Sequence, residues 1–460
     1  MKEEFLNSLQ NILNQEDFSR YLKSFNEEPK KSFRLNKRKC EMVNDDTASH
    51  NAIDYIVNKY FATKNQIIDT AFHIQNEIKL GNEWFHKSGL VYVQEPSSMM
   101  AVYGLKQVAN FNGARVLDMC ASPGGKTSQL SEMVGDNGFV LSNEINNKRA
   151  NILRSNVERL GLANVAISSC ESGIIKNNLS GQFDAVLVDA PCSGEGMFRK
   201  DVNAQTEWSL GEVERNHLLQ LKILNDGASC VKSGGFLVYS TCTFNTHENE
   251  EVVYEFLKNN KNFKIIKCCE EVNKISQNGI ALNGLDDLKY ARRFYPFDNF
   301  GEGQFVCIMQ NFSDEQTAVS SFKFQNNKKE FKMINDFIAK NFNLTNSNIS
   351  QLGNIYFMHN NNFPELKHIP LLTCGVAVCE IEKNIIKPHH NLFMAYGEQC
   401  VNRLNLSSES EWVSKFFKGE QIEGDVKDGF CAVCIEGFCV GFGKAKNGII
   451  NNHYPKGLRN

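Results

Sequence analysis

The segment VLDMCASPGGKTSQL, residues 116–130, decides the fold of this chain. An apolar run ends at Asp118, a loop of small residues with Gly124 and Gly125 follows, and a helical pattern begins near Thr127. Glycines let a backbone approach a ligand closely, and the start of a helix presents free N–H groups. The order strand, loop, helix therefore predicts a nucleotide-type site at the carboxyl end of a parallel strand.

Further apolar runs repeat this alternation along the chain. They are FVLSNE (139–144), NVAIS (164–168), FDAVLVDA (183–190), GGFLVYST (234–241) and, after a polar loop, QFVCIMQ (304–310). Short β-rich runs separated by helical stretches are typical of βαβ units, whose parallel sheet is covered by helices on both faces. The sequence therefore predicts an α/β core.

The length of 460 residues suggests about three domains. We expect an N-terminal region at 1–105, the α/β domain at 106–310, a first small C-terminal domain at 311–378 and a last domain at 379–460. The polar residues 311–329 look like a linker. Residues 29–39, PKKSFRLNKRK, are strongly basic and predict either a solvated loop or an edge that contacts phosphates.

Composition and charge restrict the class of protein. The formal charge of −3 excludes a uniformly basic chain, although a local basic face would suffice for binding nucleic acid. The 15 scattered cysteines, an odd number, favour a reducing compartment. Neither a signal-peptide pattern nor a membrane-spanning apolar run is present, so we expect a cytoplasmic protein without membrane contact.

The glycine loop distinguishes between nucleotide ligands. It matches neither G-x-G-x-x-G nor the P-loop pattern G-x-x-x-x-G-K-[ST]. The next strand ends at Glu144, where an acid can accept hydrogen bonds from both ribose hydroxyls. A glycine loop and a ribose acid without a pyrophosphate pattern indicate S-adenosylmethionine.

Two later strands each end near a cysteine. Asp189-Ala-Pro-Cys192 follows one strand, and Thr241-Cys242-Thr243 ends another. A single such cysteine is usually a small buried core residue. Two at equivalent strand ends favour a chemical role. Neither has a zinc-type partner nearby, and the lone C-x-x-C at 431–434 lies in an apolar run, so we expect no metal site.

Two thiols beside a methyl donor fit one chemistry well. Carbon 5 of cytosine is a poor nucleophile, and thiolate addition at carbon 6 makes it reactive. The second cysteine, or a water held near it, can help to expel the first. An acid at Asp189 can bind the edge of the base.

The ordered motifs resemble the Sun-family RNA cytosine-5 methyltransferases, which use S-adenosylmethionine, and within them a bacterial subgroup that acts on 16S ribosomal RNA. The resemblance covers nearly the whole chain. It implies a Rossmann-like class I methyltransferase core, an N-terminal α+β RNA-binding region and small C-terminal domains that include a PUA-like RNA-binding β domain. The motifs are RLN (34–36), QEPSSMM (94–100), CASPGGKT (120–127), DAPCSGEGMFRK (189–200), STCTFNTHENE (240–250), GEGQFV (301–306) and GIINNHYPKGLRN (448–460).

The same resemblance implies individual roles. Cys242 corresponds to the nucleophile and Cys192 to the residue that promotes release, with Asp189 and Lys126 beside them. Glu171 stands where the family commonly has Asp near the adenine, and Phe297 stands where it often has His and receives no role. The implied cofactor contacts are Cys120, Ala121, Ser122, Pro123, Gly124, Gly125, Lys126, Glu144, Glu171 and Asp189.

The expected partner is RNA, either 16S ribosomal RNA or the small ribosomal subunit, bound by a monomer. The C-terminal His453, Tyr454, Lys456 and Arg459 combine aromatic and basic groups suited to RNA. Two alternatives remain open at this point. One is a transfer-RNA methyltransferase with the same mechanism, and the other is a catalytically inactive RNA-binding ribosome assembly factor.

Overall fold

The computed structural model describes residues 1–43, 46–298, 300–314, 328–344 and 348–459. Its N-terminal region forms a four-stranded antiparallel sheet, in the order β2-β3-β1-β4, with helices around it. This agrees with the α+β expectation. The elements are α1 (Glu3–Gln10), α2 (Gln15–Ser24), β1 (Lys31–Leu35), α3 (Lys37–Met42), α4 (Asp46–Tyr60), β2 (Thr63–Lys64), β3 (Ala71–Ile74), α5 (Trp84–Lys87) and β4 (Val91–Val93).

The central region is built on a ten-stranded sheet, in the order β11-β12-β13-β9-β8-β5-β6-β7-β16, with β10 beside β13. Its elements before the C-terminal region are α6 (Met100–Val108), β5 (Arg115–Asp118), α7 (Gly125–Val134), β6 (Phe139–Asn143), α8 (Asn147–Leu160), β7 (Val165–Ser168), α9 (Ser172–Leu179), β8 (Phe183–Asp189), α10 (Val202–Glu207), α11 (Leu210–Cys230), β9 (Val231–Thr241), α12 (Glu250–Asn259), β10 (Phe263–Ile265), α13 (Glu270–Lys274), β11 (Gln277–Asn278), β12 (Arg292–Phe294) and β13 (Gln304–Asn311).

The middle strands of this sheet are parallel, and all the strands expected from the apolar runs are present. Successive residues point to opposite faces of a strand, so Val116 packs in one hydrophobic cluster and Leu117 in another. Both are fully buried. Burial on both faces explains why these strands read as continuous apolar runs, and the predicted α/β core is confirmed.

The C-terminal region contributes a four-stranded sheet, β14-β15-β17-β18, and a five-stranded sheet, β19-β21-β22-β23-β20. Its elements are α14 (Lys328–Asn341), β14 (Asn348–Leu352), β15 (Ile355–His359), β16 (Leu371–Cys374), β17 (Val376–Glu382), β18 (Ile385–Pro388), α15 (His390–Tyr396), β19 (Arg403–Leu406), α16 (Glu411–Lys418), β20 (Ile422–Glu423), β21 (Gly429–Ile435), β22 (Phe438–Lys446) and β23 (Ile449–Asn452).

In the C-terminal region, the structure continues across the domain boundaries that the sequence suggested. β16 extends the central sheet by pairing antiparallel with β7, and the division placed between residues 378 and 379 falls inside β17. Of the predicted linker at 311–329, Asn311 ends β13, and residues 315–327 lie outside the described residues. The described part of the chain contains no helix that is long and apolar enough to cross a membrane.

The N-terminal and C-terminal regions share one hydrophobic cluster. The Trp84 and Phe438 rings lie 6.2 Å apart across the contact, and Phe33 and Tyr454 are buried in the same cluster. Tyr454 is therefore a core residue, which corrects its expected placement on an RNA-binding tail. His453, Lys456 and Arg459 are exposed.

The basic segment 29–39 is also more structural than expected. Arg34 is buried and donates to the Gln94 side chain. Arg38 donates to Asp136 and to backbone carbonyls of the other regions. The Lys39 ammonium lies 2.8 Å from the Glu398 carboxylate, with both side chains buried. The reading as a phosphate-contacting edge is wrong for these three residues because their charges are used inside the fold.

Candidate active site

The glycine loop after β5 packs closely against its neighbours. Gly124 has φ +111°, which favours glycine, and a Cβ there would lie 3.0 Å from the Leu153 side chain. A Cβ on Gly125 would lie 3.2 Å from the Tyr92 ring and 3.3 Å from Gln94. The loop is therefore held between α8 and the N-terminal region, and α7 starts directly behind it.

Two carboxylates flank this loop at the carboxyl ends of β5 and β6. Asp118 is fully buried, and burial raises its pKa to about 7, although a hydrogen bond from the Thr127 hydroxyl at 2.7 Å lowers it. Among the described atoms, Oδ1 of Asp118 has no hydrogen-bond partner. Glu144, 4% exposed, accepts from the backbone N–H of Asn146 at 3.0 Å. Buried acids beside a glycine loop fit a cationic ligand with ribose hydroxyls, which is the chemistry of S-adenosylmethionine.

Asp189 and Lys126 form an ion pair at the end of β8. The Lys126 ammonium lies 2.8 Å from Oδ2 of Asp189. Burial lowers the pKa of Lys126, but the interactions with Asp189 and Cys242 raise it by more. The net shift of the pKa is therefore upward, and the side chain stays an ammonium. The Gln304 side chain donates to Oδ1 of Asp189 at 3.3 Å and also to the Ser240 hydroxyl. Asp189 is thus oriented from two sides.

The two candidate cysteines meet at this edge. The Sγ atoms of Cys192 and Cys242 are 3.3 Å apart, and the Cys242 backbone N–H donates to the Cys192 sulfur at 3.4 Å. The hydrogen bond with Cys242, burial and the charge of Glu248 together raise the pKa of Cys192 well above its usual value. Cys192 therefore remains a thiol and can donate its proton toward the Cys242 sulfur.

Two buried glutamates support the loops that carry these cysteines, and sequence reasoning missed both. Glu195 accepts from the backbone N–H groups of Phe244 and Asn245, just after Cys242. Glu248 accepts from the backbone N–H of Ser193, just after Cys192. The sequence did contain a sign of their role: both acids lie inside the two cysteine motifs, and acidic residues are unusual so close to buried strands.

The other expected site residues are distributed around the loop. Ala121 is buried, and Cys120 is half-buried with a pKa raised by burial. The Ser122 hydroxyl donates to the Arg149 carbonyl at 2.9 Å, and the Pro123 carbonyl accepts from Asn156 at 2.9 Å.

Glu171 precedes α9, and its carboxylate lies 3.6 Å from the Lys222 ammonium with 66% of the side chain exposed. The Phe297 ring stacks on Tyr295 and is covered by Arg20, so it helps to dock the N-terminal helices. Among the described residues, no group of three or more His, Cys, Asp or Glu side chains is arranged to hold a metal ion.

Comparisons with known proteins agree with this site. Residues 106–310 match the family described as 16S rRNA methyltransferase RsmB/F, residues 1–96 match the N-terminal domain of 16S rRNA methyltransferase RsmF, and residues 403–460 match the methyltransferase RsmF PUA domain. The chain is 30% identical over 418 residues to ribosomal RNA small subunit methyltransferase F from Vibrio vulnificus, covering 85% of this chain and 84% of the relative.

Other relatives extend this result. The protein of the same name from Psychromonas ingrahamii is 27% identical over 403 residues and covers 82% of this chain and 81% of its own length. A methyltransferase homologue from Pyrococcus horikoshii shares the fold with a TM-score of 0.55 at 24% identity, covering 68% of this chain and 100% of that one. NSun6 from Pyrococcus horikoshii, solved with SFG, gives a TM-score of 0.56 at 17% identity, covering 68% and 99%.

The class I methyltransferase fold, the PUA domain and the use of S-adenosylmethionine are thereby confirmed. The chain belongs to the RsmB/F family of 16S rRNA methyltransferases, S-adenosylmethionine-dependent enzymes that methylate carbon 5 of cytosine in RNA.

Proposed function

We propose that Cys242 is the nucleophile of this RNA cytosine-5 methyltransferase and that Cys192 promotes release of the methylated base. The observation that carries the proposal is the 3.3 Å approach of the two sulfurs beside the Lys126–Asp189 ion pair. A thiolate is the reactive form of cysteine, and a nearby ammonium and a hydrogen-bond donor both stabilise its negative charge.

In the first step the Cys242 thiol gives its proton to water, and the resulting thiolate adds to carbon 6 of cytosine. A sulfur–carbon bond forms, and the electron pair of the 5,6 double bond becomes available at carbon 5. Asp189, held by Lys126 and Gln304, can accept a hydrogen bond from the edge of the base and stabilise a proton at the ring nitrogen. The hydrogen bond from the Cys192 thiol and the nearby ammonium stabilise negative charge on the attacking sulfur.

The cofactor would be held by the loop from Cys120 to Lys126, with Glu144 at the ribose hydroxyls, Asp189 near the reacting end and Glu171 toward the adenine. When bound, S-adenosylmethionine supplies an electrophilic methyl group for carbon 5. The two cysteines are half-buried at this edge of the sheet.

Release reverses the covalent step. The proton on carbon 5 passes to water, its electron pair restores the 5,6 double bond, and the bond from carbon 6 to sulfur breaks. The electron pair of that bond stays on Cys242, which accepts a hydrogen bond from the Cys192 thiol as it departs. Because Cys192 is kept protonated, it can donate this hydrogen bond to the departing sulfur.

The flanking regions would select the RNA. A base inside a stack cannot reach this site, so the target cytosine must be turned outward. We assign RNA reading to residues 1–105 and 379–460, methyl transfer to 106–310, and a connecting role to 311–378. The enzyme would act as a cytoplasmic monomer on 16S ribosomal RNA or on the small ribosomal subunit.

The mechanism is tested with two cysteine variants. Cys242→Ala is expected to abolish methylation, and Cys192→Ala is expected to accumulate a covalent protein–RNA adduct that resists a denaturing gel. A fully active Cys242→Ala enzyme would refute the mechanism.

The substrate is tested by bisulfite sequencing of RNA from a deletion strain. Loss of one or more methylated cytosines from 16S ribosomal RNA is expected. Loss from transfer RNA instead would replace the proposed substrate. Calorimetry that detects no binding of S-adenosylmethionine would favour an inactive assembly factor.

A further inference from the structure

Glu248 occupies an unusual position behind the two cysteines. Its side chain is fully buried, and within the described residues its carboxylate is held by neutral hydrogen-bond donors rather than by an ion pair. A buried carboxylate without a cation is costly unless hydrogen bonds compensate for the lost hydration.

Four donors compensate Glu248: three belong to the loops that follow the two cysteines, and the fourth, the Gln220 side chain, belongs to α11. Oε1 accepts from the Ser193 backbone N–H at 2.9 Å and from the Gln220 side chain at 3.0 Å. Oε2 accepts from the Asn245 side chain at 2.7 Å and from the Ser193 hydroxyl. One carboxylate thus joins the residue after Cys192 to the loop after Cys242.

The residues on both sides of Cys192 are tied to the same network. Gln220, which donates to Glu248, also donates to the Pro191 carbonyl at 2.8 Å. The Ser193 hydroxyl lies 2.9 Å from the Thr243 hydroxyl, so the residues that follow the two cysteines touch each other. The backbone of Cys192 is therefore fixed on both sides, and the distance between the sulfurs depends on this anchor.

We propose that Glu248 is a positioning residue whose carboxylate holds the Cys192 thiol against Cys242 during release of the methylated RNA. This proposal rests on the role proposed above for Cys192. The negative charge of Glu248 has a second, smaller effect. The hydrogen bond with Cys242 and burial raise the pKa of Cys192 most, and the nearby carboxylate adds to them in disfavouring a thiolate.

The test uses Glu248→Gln with Cys192→Ala in parallel. Glutamine keeps the size of the side chain but removes the charge and places an NH₂ group against the donor of Asn245. Release is expected to slow by about tenfold, the effect of losing a hydrogen bond to a charged group. The covalent adduct should therefore accumulate on a denaturing gel, and methyl transfer in a single turnover should slow less than release does.

Glu195→Gln is the matched control. Glu195 is also buried, but its backbone donors follow Cys242 rather than Cys192. Its variant should lose stability without accumulating adduct. If Glu248→Gln fails to fold, Ser193→Ala removes one of the same hydrogen bonds at a half-buried position and should give a smaller increase in adduct.

The outcomes separate the two proposals. Adduct in Cys192→Ala but none in folded Glu248→Gln overturns the positioning role alone. Absence of adduct in Cys192→Ala overturns the role of Cys192 and, with it, that of Glu248. If the rate of alkylation of the Cys192 thiol depends on pH in the same way in Glu248→Gln and in the wild type, the electrostatic part of the proposal is wrong.

A second, independent observation concerns Phe61, which directly follows α4. Its ring is 82% exposed, and its backbone has φ +48°, a conformation that costs a side-chain-bearing residue free energy. Glycine or asparagine is usual where a helix ends in this way. An exposed phenylalanine at such a position contributes little to packing, so its ring needs another explanation.

The surroundings of Phe61 point to RNA. Phe61 lines a cavity of about 450 Å³ with Lys30 and Lys31, and these lysines also line a neighbouring cavity of about 560 Å³ with Arg199 and Lys200. The second cavity reaches the segment that follows Cys192. Aromatic rings and cationic side chains along a groove are suited to stacked bases and to a phosphate backbone.

We infer that this groove binds the single-stranded RNA next to the target cytosine, with Phe61 stacking on a base. This deepens the proposed function, because it names a path for the substrate. The charge of the lining supports RNA over a protein partner, because Lys30, Lys31 and Lys200 outnumber Glu28 and Glu95. Arg199 does not count here, because its side chain is buried and pairs with Glu302.

The experiment exploits opposite effects on stability and binding. Phe61→Gly relieves the backbone conformation and should keep or raise the melting temperature, yet it should weaken binding of a fluorescein-labelled oligouridine by about tenfold, the contribution of one stacked base. Phe61→Trp should retain binding. Phe312→Ala, which removes another exposed ring, is the control and should leave the affinity unchanged.

Salt dependence tests the lysines separately. The double variant Lys30→Ala, Lys200→Ala should reduce the slope of log affinity against log salt by about 1.4, since each contact to a single strand contributes about 0.7. If Phe61→Gly binds the oligouridine as tightly as the wild type and the lysine variant has an unchanged salt slope, RNA does not bind in this groove. That conclusion would hold even if the enzyme still methylates RNA.

Discussion

The ion pair between Lys39 and Glu398 joins the N-terminal and C-terminal regions, and its removal should be strongly destabilising. Both side chains are buried, and the ammonium lies 2.8 Å from Oε1 of the carboxylate. In Lys39→Met, methionine fills most of the space of the lysine, so the main cost is an uncompensated buried charge. Among the described residues, the other hydrogen-bond donor to the Glu398 carboxylate is the backbone N–H of Cys439 at 3.1 Å. Breaking such a pair from one side costs about 3–5 kcal/mol.

A double variant distinguishes the charge from the packing. In Lys39→Met with Glu398→Gln, both charges are gone and the amide oxygen can still accept from Cys439. The free energy of unfolding should return to within about 1 kcal/mol of the wild type, because a buried ion pair contributes little net stability. Lys37→Met is the control, since its contact with Glu41 is largely exposed and such pairs contribute about 0–1 kcal/mol.

Urea unfolding followed by tryptophan fluorescence is the assay. Trp84 lies 6.2 Å from Phe438 across the contact, so its emission reports separation of the two regions. A Lys39→Met protein within about 1 kcal/mol of the wild type would refute the reasoning. So would a double variant as unstable as the single one, because the loss would then come from packing rather than from charge.

Two further predictions follow from the active-site side of the molecule. Glu144→Ala should weaken binding of S-adenosylmethionine by at least about tenfold in calorimetry, because the hydrogen bonds to the ribose hydroxyls are lost; unchanged affinity would place the ribose elsewhere. His247 lies between two carboxylates at 2.8 Å, and although burial lowers its pKa, these hydrogen bonds raise it above the usual value. Its stabilising effect is therefore complete below pH about 6.5 and is lost as the pH rises through the higher folded pKa. The stability of His247→Gln should vary less over this range, and parallel pH profiles of melting temperature would contradict the assignment.

Much of the site was predictable because the local sequence determines which residues stand at the end of a strand. Asp118, Glu144, Asp189 and Cys242 lie at or just after the ends of apolar runs, and neighbouring parallel strands bring their carboxyl ends to one edge of a sheet. The motif order then identified the chemistry without further information.

Support residues were harder to predict. Glu248 and Gln304 act through partners far along the chain, and nothing in their local sequence specifies those partners. The contact of Glu171 with the cofactor stays a prediction that rests on its position in a motif, and its carboxylate lies 3.6 Å from the Lys222 ammonium.

The sequence by itself determined the α/β core, the two cysteines and the glycine loop, because periodicity and strand ends are local properties. Only the tertiary structure decided whether the charges of the basic segment 29–39 are exposed or buried. Arg34, Arg38 and Lys39 read as a surface for phosphates, yet their charges are bound by residues 60 or more positions away. A linear sequence records charge but not burial, and burial decides whether a cation meets RNA or holds two regions of the protein together.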